Sequence, residues 1–345
     1  MDVDGAPPPR EVLASIQALR AVAAWSVVLH HYCLIFAVDN PSWWRRGFLD
    51  HGAAGVDVFF VVSGLVMGLS TSDSAITPRG FMAKRLGRIV PAYWLYTLVV
   101  ALLITRVPDM MVNQGYSPEF LVSSLLFVPA QNPSGVGLVP INTVGWSLNV
   151  EMAFYVIVAA SLFAQRTQRW LWIASGVVLL QKLLSPLGIV SSLYGDPVLY
   201  EFLMGLAAAH LWQSGALRGR GWVFGCLALF AIVCLLRPPV PSGLVRAVDY
   251  GVPAFLLVCA FLGLERYFAR ASIFAHLGNH SYSVYLIHPT ILYAGWYIHR
   301  SARGHGVFIS WCCLAVIALL GAASYRLLER PAGRVLTRWL MPRER

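Results

Sequence analysis

The chain has 345 residues, 58% of them hydrophobic and only 12% charged, with a mean hydropathy of +0.65. A soluble domain carries about a quarter charged residues, so this chain cannot coat a water-facing surface, and lipid is its expected solvent. The net charge of +10 falls in short segments between apolar runs, which excludes a nucleic-acid-binding face and fits the positive-inside rule of membrane proteins.

Residues 1–14 are acidic, proline-rich and polar, lack a cleavable signal pattern and are expected to be a disordered tail. A helix needs about 20 apolar residues to cross the hydrocarbon core. Candidate spans follow in chain order at 16–38, 52–70, 89–104, 146–164, 170–190, 197–212, 222–236, 248–264, 281–298 and 307–327. The expected fold is therefore all-α, a polytopic bundle of about ten transmembrane helices. Ten is even, so both termini share one side. If that side is cytoplasmic, eighteen Lys and Arg lie inside against seven outside, with Lys182 within a span, and the bias supports this orientation. The segment 332–345 is then a basic cytoplasmic tail. The long segment 107–145 has no Lys or Arg and is expected outside. Its apolar run 120–128 is too short to span and is expected at the interface or re-entrant. The six cysteines all lie in apolar runs without a CxxC pair, so neither a disulfide framework nor a metal site is expected.

Ionisable groups inside spans are costly and mark functional candidates. Arg20 and His31 are eleven residues apart, close to three full turns, so they share a helix face with a rise of about 16 Å between them. His31 is a candidate general base, and the competing reading is a packing histidine. In the second run, Asp57 could orient His31 as the acid of a triad does, or simply reach outer water. Ser63-Gly64 reads as close helix packing, and Gly64 with Gly68 gives a weak GxxxG pattern. Ser147, Glu151 and Tyr155 are spaced by four and form one polar stripe, with Glu151 the second carboxylate candidate. Trp146 fits an interfacial aromatic. In the segment before the third run, Arg85 and Arg88 are plain inside charge or, with Arg20, a cradle for phosphates. Tyr285 and His288 share a face beside Pro289. Which carboxylate partners His31 stays open between Asp57 and Glu151.

These residues resemble the acyltransferase-3 family of bacterial membrane O-acyltransferases, and within it the ExoZ-like, exopolysaccharide-acetylating branch. The resemblance rests on Ala18-Leu19-Arg20-Ala21 leading to His30-His31, on Gly55-Val56-Asp57-Val58-Phe59-Phe60-Val61-Val62-Ser63-Gly64, and on Arg85-Leu86-Gly87-Arg88. It continues in Trp146-Ser147-Leu148-Asn149-Val150-Glu151 and Ser281-Tyr282-Ser283-Val284-Tyr285-Leu286-Ile287-His288-Pro289, in the family's order, over about 15–331. Leu65 departs from the Phe that many members carry. The chain lacks the soluble C-terminal hydrolase-like domain of some relatives and would be the standalone form.

The resemblance implies a multi-pass protein of the bacterial cytoplasmic (inner) membrane whose transmembrane domain covers 15–331. It puts the family's Arg-x10-His motif on Arg20 and His31 and its Arg-x-x-Arg motif on Arg85 and Arg88. The implied donor is acetyl-CoA from the cytoplasm, with no bound cofactor. The implied acceptor is a hydroxyl of a glycan or of a lipid-linked oligosaccharide. On this reading Arg20, Arg85 and Arg88 hold the donor phosphates, and His31 deprotonates the acceptor. Asp57 or Glu151 supports the imidazole, and Ser63 or Trp146 is the candidate oxyanion donor. Ser147, Tyr285 and His288 support the site. The competing classes are an exporter of lipid-linked sugar, an acyltransferase acting on a lipid or peptidoglycan, and a non-enzymatic export subunit.

Overall fold

A computed structural model describes residues 13–36, 42–72, 76–111, 115–237, 246–268, 272–301 and 306–341. The expected N-terminal tail lies outside them except for Leu13 and Ala14, as do Arg10, Arg270, Arg303, Arg343 and Arg345 of the charge tally. Among the described residues every regular element is helical.

The first half of the chain contains α1 (Ala14–Ile35), α2 (Trp43–His51), α3 (Gly55–Thr71), α4 (Pro78–Arg106), α5 (Pro118–Leu125), α6 (Trp146–Ser161) and α7 (Arg169–Leu179). The second half contains α8 (Leu199–Gln213), α9 (Gly221–Leu235), α10 (Val252–Gly263), α11 (Glu265–Phe268), α12 (Ser272–Ser301), α13 (Gly306–Ser324) and α14 (Arg330–Leu340). Each of the ten apolar runs therefore contains a helix, the fifth leaving helical form after Leu184. Five stretches are long and apolar enough to cross a membrane by themselves: Ala14–Ile35, Trp43–Thr71, Pro78–Arg106, Thr143–Ser161 and Val307–Leu340. Large apolar side chains point outward from several of them, among them Leu98 and Leu102 of α4, Phe230 of α9 and Leu319 of α13. Such a surface is stable only against other apolar matter.

Helix ends are closed by specific groups. The first backbone N–H groups of a helix lack internal acceptors. In α1, Ala14 and Ser15 donate theirs to the Glu265 carboxylate at 2.8 and 3.0 Å, and the Ser15 hydroxyl donates to it as well. A residue 250 positions away thus caps the helix that carries Arg20 and His31. In α4 and α5, Thr77 and Ser117 accept from Gly80 and Phe120 at the helix start, each with a proline next in line.

Close crossings follow the small residues. A Cβ on Gly64 would lie 2.1 Å from the Phe202 carbonyl, and one on Gly205 would lie 2.1 Å from that of Val61. One turn on, Gly68 abuts Ala209. The Gly64-Gly68 pair of α3 therefore meets a matching Gly205-Ala209 pair on α8, and the backbones touch. A second crossing joins α4 to α14, where a Cβ on Gly333 would lie 2.5 Å from the Gly87 carbonyl. A π-helical turn, Tyr325–Glu329, connects α13 to α14. The basic segment expected as a tail is thus, as far as Leu340, a packed helix.

Two further expectations are revised by geometry. Arg85 and Arg88, read as loop residues, sit inside α4, which begins eleven residues before the apolar run proper. The short run in the long segment forms α5, docked on α4: the Tyr93 hydroxyl donates to the Ser124 carbonyl at 3.0 Å and the Trp94 indole to that of Leu125 at 2.8 Å. Phe127, in the left-handed region at φ 58°, stacks on Tyr93 at 4.6 Å, which holds a conformation that a non-glycine residue rarely adopts.

Candidate active site

Helices α1, α3, α4, α6 and α12 surround a half-enclosed inner chamber of about 730 Å³, mouth included. Its basic wall is Arg20, Arg85 and Arg88, and its polar inner wall is Ser63, Ser147, Glu151, Tyr155 and Tyr285. Apolar side chains such as Phe59, Phe60, Val66 and Met67 fill the space between. Seven of the candidates named from the sequence thus face one space, whose mixture of apolar walls and a few convergent polar groups is typical of a small-molecule site.

The polar stripe of α6 works as spaced. Glu151 accepts from the Ser63 hydroxyl at 2.6 Å and from the Tyr155 hydroxyl at 2.6 Å. Ser63 therefore spends its proton on Glu151 and is not an oxyanion donor here. Arg85 donates to the Ser70 hydroxyl at 2.8 Å and lies over the rings of Phe81 and Tyr155. Arg20, mostly buried, donates to Gln17 Oε1 at 3.0 Å.

His31 does not appear in the chamber wall. It stands one residue behind Tyr285, through His288. Pro289 explains this arrangement. A helical residue at 289 would donate its N–H to the Tyr285 carbonyl, but proline has none. His288 Nδ1–H takes that carbonyl instead, at 2.8 Å. The Nε2 of His288 is then an acceptor and faces His31 Nδ1 at 3.3 Å. His31 Nδ1 also contacts the Val27 carbonyl at 3.0 Å, so it carries the proton and shares it between the two acceptors. Carbonyls at both ends of the pair fix both tautomers and leave His31 Nε2 as a bare lone pair. The ring centroids are 5.0 Å apart for His31 and His288, and 5.9 Å for His288 and Tyr285. Tyr285 in turn donates to the Val144 carbonyl at 3.0 Å and meets the Ser147 hydroxyl at 3.0 Å.

The expected carboxylate partner of His31 is corrected. Glu151 is engaged by Ser63 and Tyr155. Asp57, 1% exposed, forms a forked ion pair with Arg246, at 3.0 Å to Nε and 3.2 Å to Nη2. The wholly buried Glu201 of α8 lies against the same pair. A buried carboxylate needs such a partner, and Arg246, read from the sequence as an outer-loop charge, supplies it. Trp146 packs its ring 6.1 Å from that of Phe60 and lies 5.9 Å from the Arg246 guanidinium, so it belongs to the Asp57 side of the site.

A second, more open vestibule of about 1080 Å³ shares Arg20 and Arg88 with the inner chamber. Lys84, Arg330, Arg334 and Arg338 line it too, with Glu329 as the one acid among the described residues. Glu329 accepts from the Ser283 hydroxyl at 2.7 Å. The sequence reading missed these groups because a basic segment after a last span looks like ordinary inside charge. Their spacing of four was the available signal.

The acyltransferase domain model of the acyltransferase-3 family matches residues 13–327. The chain is 35% identical to the "Exopolysaccharide production protein ExoZ" of Rhizobium meliloti over 295 residues, 81% of this chain and 89% of that one. It is 28% identical to "Acyltransferase MdmB" of Streptomyces mycarofaciens, over 96% of this chain and 94% of the relative. It is 26% identical to "Peptidoglycan O-acetyltransferase OatA" of Listeria monocytogenes, where 82% of this chain covers 50% of the relative. No solved structure matches. Against the exporter and assembly-subunit readings, the chain belongs to the acyltransferase-3 family and is a membrane O-acyltransferase.

Proposed function

We propose that this enzyme moves an acetyl or related acyl group from acyl-CoA to a hydroxyl of an exopolysaccharide or its lipid-linked precursor. The observation that carries the reading is the gradient along the cleft. It is basic at one end, apolar in the middle, and ends at Tyr285 with His288 and His31 behind. Arginine forks suit phosphates, so the donor's nucleotide belongs at the basic end and its thioester inside. Arg20 and His31, on one face of α1, set the distance the arm must bridge at about 16 Å. The ExoZ relative favours an exopolysaccharide acceptor over peptidoglycan.

In this mechanism His31 Nε2 accepts the proton of the acceptor hydroxyl as its oxygen attacks the thioester carbon. The C–S bond then breaks, and the imidazolium returns its proton to the departing thiolate. His288 Nε2 receives the Nδ1–H of His31 and supports the positive ring during the step, the place an aspartate takes in a triad. Acceptor access to His31 needs movement of the Tyr285 side chain or entry from the α1–α2 side, where His30 Nδ1–H donates to the Phe48 carbonyl at 3.1 Å. We place the enzyme as a ten-span protein of the bacterial inner membrane, both termini cytoplasmic, with the basic end of the cleft on that side.

The test is acylation of surface polysaccharide in cells carrying His31→Ala at normal membrane levels, together with purified protein given labelled acetyl-CoA and acceptor. The expected loss is about 10²–10⁴-fold in rate with donor binding kept. Full acylation by the variant would remove His31 from the chemistry. Absence of label transfer from acetyl-CoA by the wild type would remove the donor assignment.

A further inference from the structure

The family match ends at residue 327, and α14 begins at Arg330. Yet this helix forms a wall of the vestibule that shares Arg20 and Arg88 with the inner chamber. At 100° per residue, α14 divides into three faces. Arg330, Arg334 and Arg338 lie within roughly 80° of arc and line the vestibule. Ala332, Val335, Leu336 and Trp339 cover the opposite side, where they meet Val90, Pro91 and Trp94 of α4; Val335 and Trp339 are exposed there. Between them, Gly333 and Thr337 form the contact face. Gly333 touches Gly87 backbone to backbone, and the Thr337 hydroxyl donates to the Ala83 carbonyl at 3.4 Å. Arg79 Nε secures the far end by donating to the Leu340 carbonyl at 3.1 Å.

The glycine contact fixes both the distance and the rotation of α14 on α4. It therefore sets the arginine row opposite Lys84 and Arg88, the latter shared with the inner chamber. Among the described residues six cations face one open space, and the acid among them, Glu329, is held by Ser283. Like charges gathered this closely repel unless a multivalent anion joins them. The row is about 12 Å long from Arg330 to Arg338, enough to serve more than one phosphate group.

We propose that α14 is part of the donor site, its Arg330, Arg334 and Arg338 row binding the phosphates of the nucleotide half of acyl-CoA. The proposal rests on the donor reading above and adds the element, outside the family-matched segment, that grips the donor. It also separates two tasks: Arg20, Arg85 and Arg88 line the path of the arm, and the α14 row holds the nucleotide at the mouth.

The test uses the full-length protein in nanodiscs with two thioester donors, acetyl-CoA and acetyl-pantetheine, which carry the same reacting group with and without the nucleotide. In the triple variant Arg330→Gln, Arg334→Gln, Arg338→Gln, the preference for acetyl-CoA over acetyl-pantetheine, as a ratio of kcat/KM, falls about tenfold or more. The fall comes through KM for acetyl-CoA and is partly restored by the triple Lys variant. A merely structural role would depress both donors and leave the ratio intact, and that result overturns the proposal. A deficit seen in phosphatidylglycerol discs but absent from phosphatidylcholine discs would assign the row to lipid headgroups and overturn it too. A wild type that binds neither CoA nor acetyl-CoA overturns the donor reading itself, which is a different failure from an unchanged ratio.

Discussion

Pro289 controls the protonation pattern of two histidines without touching either ring. It withholds the N–H that would pair with the Tyr285 carbonyl, His288 takes that carbonyl, and His31 is oriented in consequence. Pro289→Ala returns a backbone donor to that carbonyl. The expected outcome in a purified preparation is a kcat lowered by about tenfold, a fraction of what a general base contributes. KM for the donor should not move, and the melting temperature should hold or rise, since an interior proline is costly to a helix. Unaltered kcat would sink the account of His288 as a positioning residue. The residue types of this site were legible in the sequence, because Arg, His and Glu in apolar runs stand out on cost alone. Their pairings were not. Chemistry offers both Asp57 and Glu151 to His31, but Asp57 meets Arg246, 189 positions away, and such a distance in sequence carries no periodic signal. The His288 link was hidden because it depends on a missing N–H.

Helices in this molecule approach closely where glycine faces glycine. Gly64→Ala puts a methyl where the Phe202 carbonyl stands, and neither backbone can rotate aside as a side chain could. A loss of about 1–3 kcal/mol or more is expected from such overpacking, read as an earlier thermal transition in detergent or as loss of the monodisperse peak. Gly225→Ala is the contrast. Nothing lies within 4 Å of its added carbon, so α9 should gain up to about 1 kcal/mol in helix propensity. If both variants melt alike, contact geometry is not what limits α3 and α8. The GxxxG spacing on α3 was visible in the sequence, but its partner on α8 was not, since Gly205 and Ala209 form half of a pattern that is common by chance.

The assembled molecule is a bundle that buries a few charges, Arg20, Asp57, Glu201 and Glu329 among the described residues, and presents many large apolar side chains outside. Its apolar runs fall on helices because lipid imposes a length on every crossing element, although α4 and α12 begin well before the runs they contain. What escaped were elements that need no such length, α2 and α14, which lie at or beyond the ends of the runs; the run of α5 is visible but too short to span. The proposed orientation is tested by reactive thiols. In a background with Cys226, the exposed native thiol, replaced by Ser, Gln131→Cys should react with an impermeant maleimide in intact cells. Arg218→Cys should react only after the membrane is opened. The reverse pattern would invert the topology.

The π-helical turn at Tyr325–Glu329 adds one residue beyond the α-helical count before the arginine row begins. Adding one residue after Leu327, continued at ordinary α-helical pitch, would swing everything after it by about 100°. The three guanidinium groups would then leave the mouth of the cleft although not one arginine had been replaced. In this protein the phase of a helix, and not only its charge, decides what the enzyme can grasp.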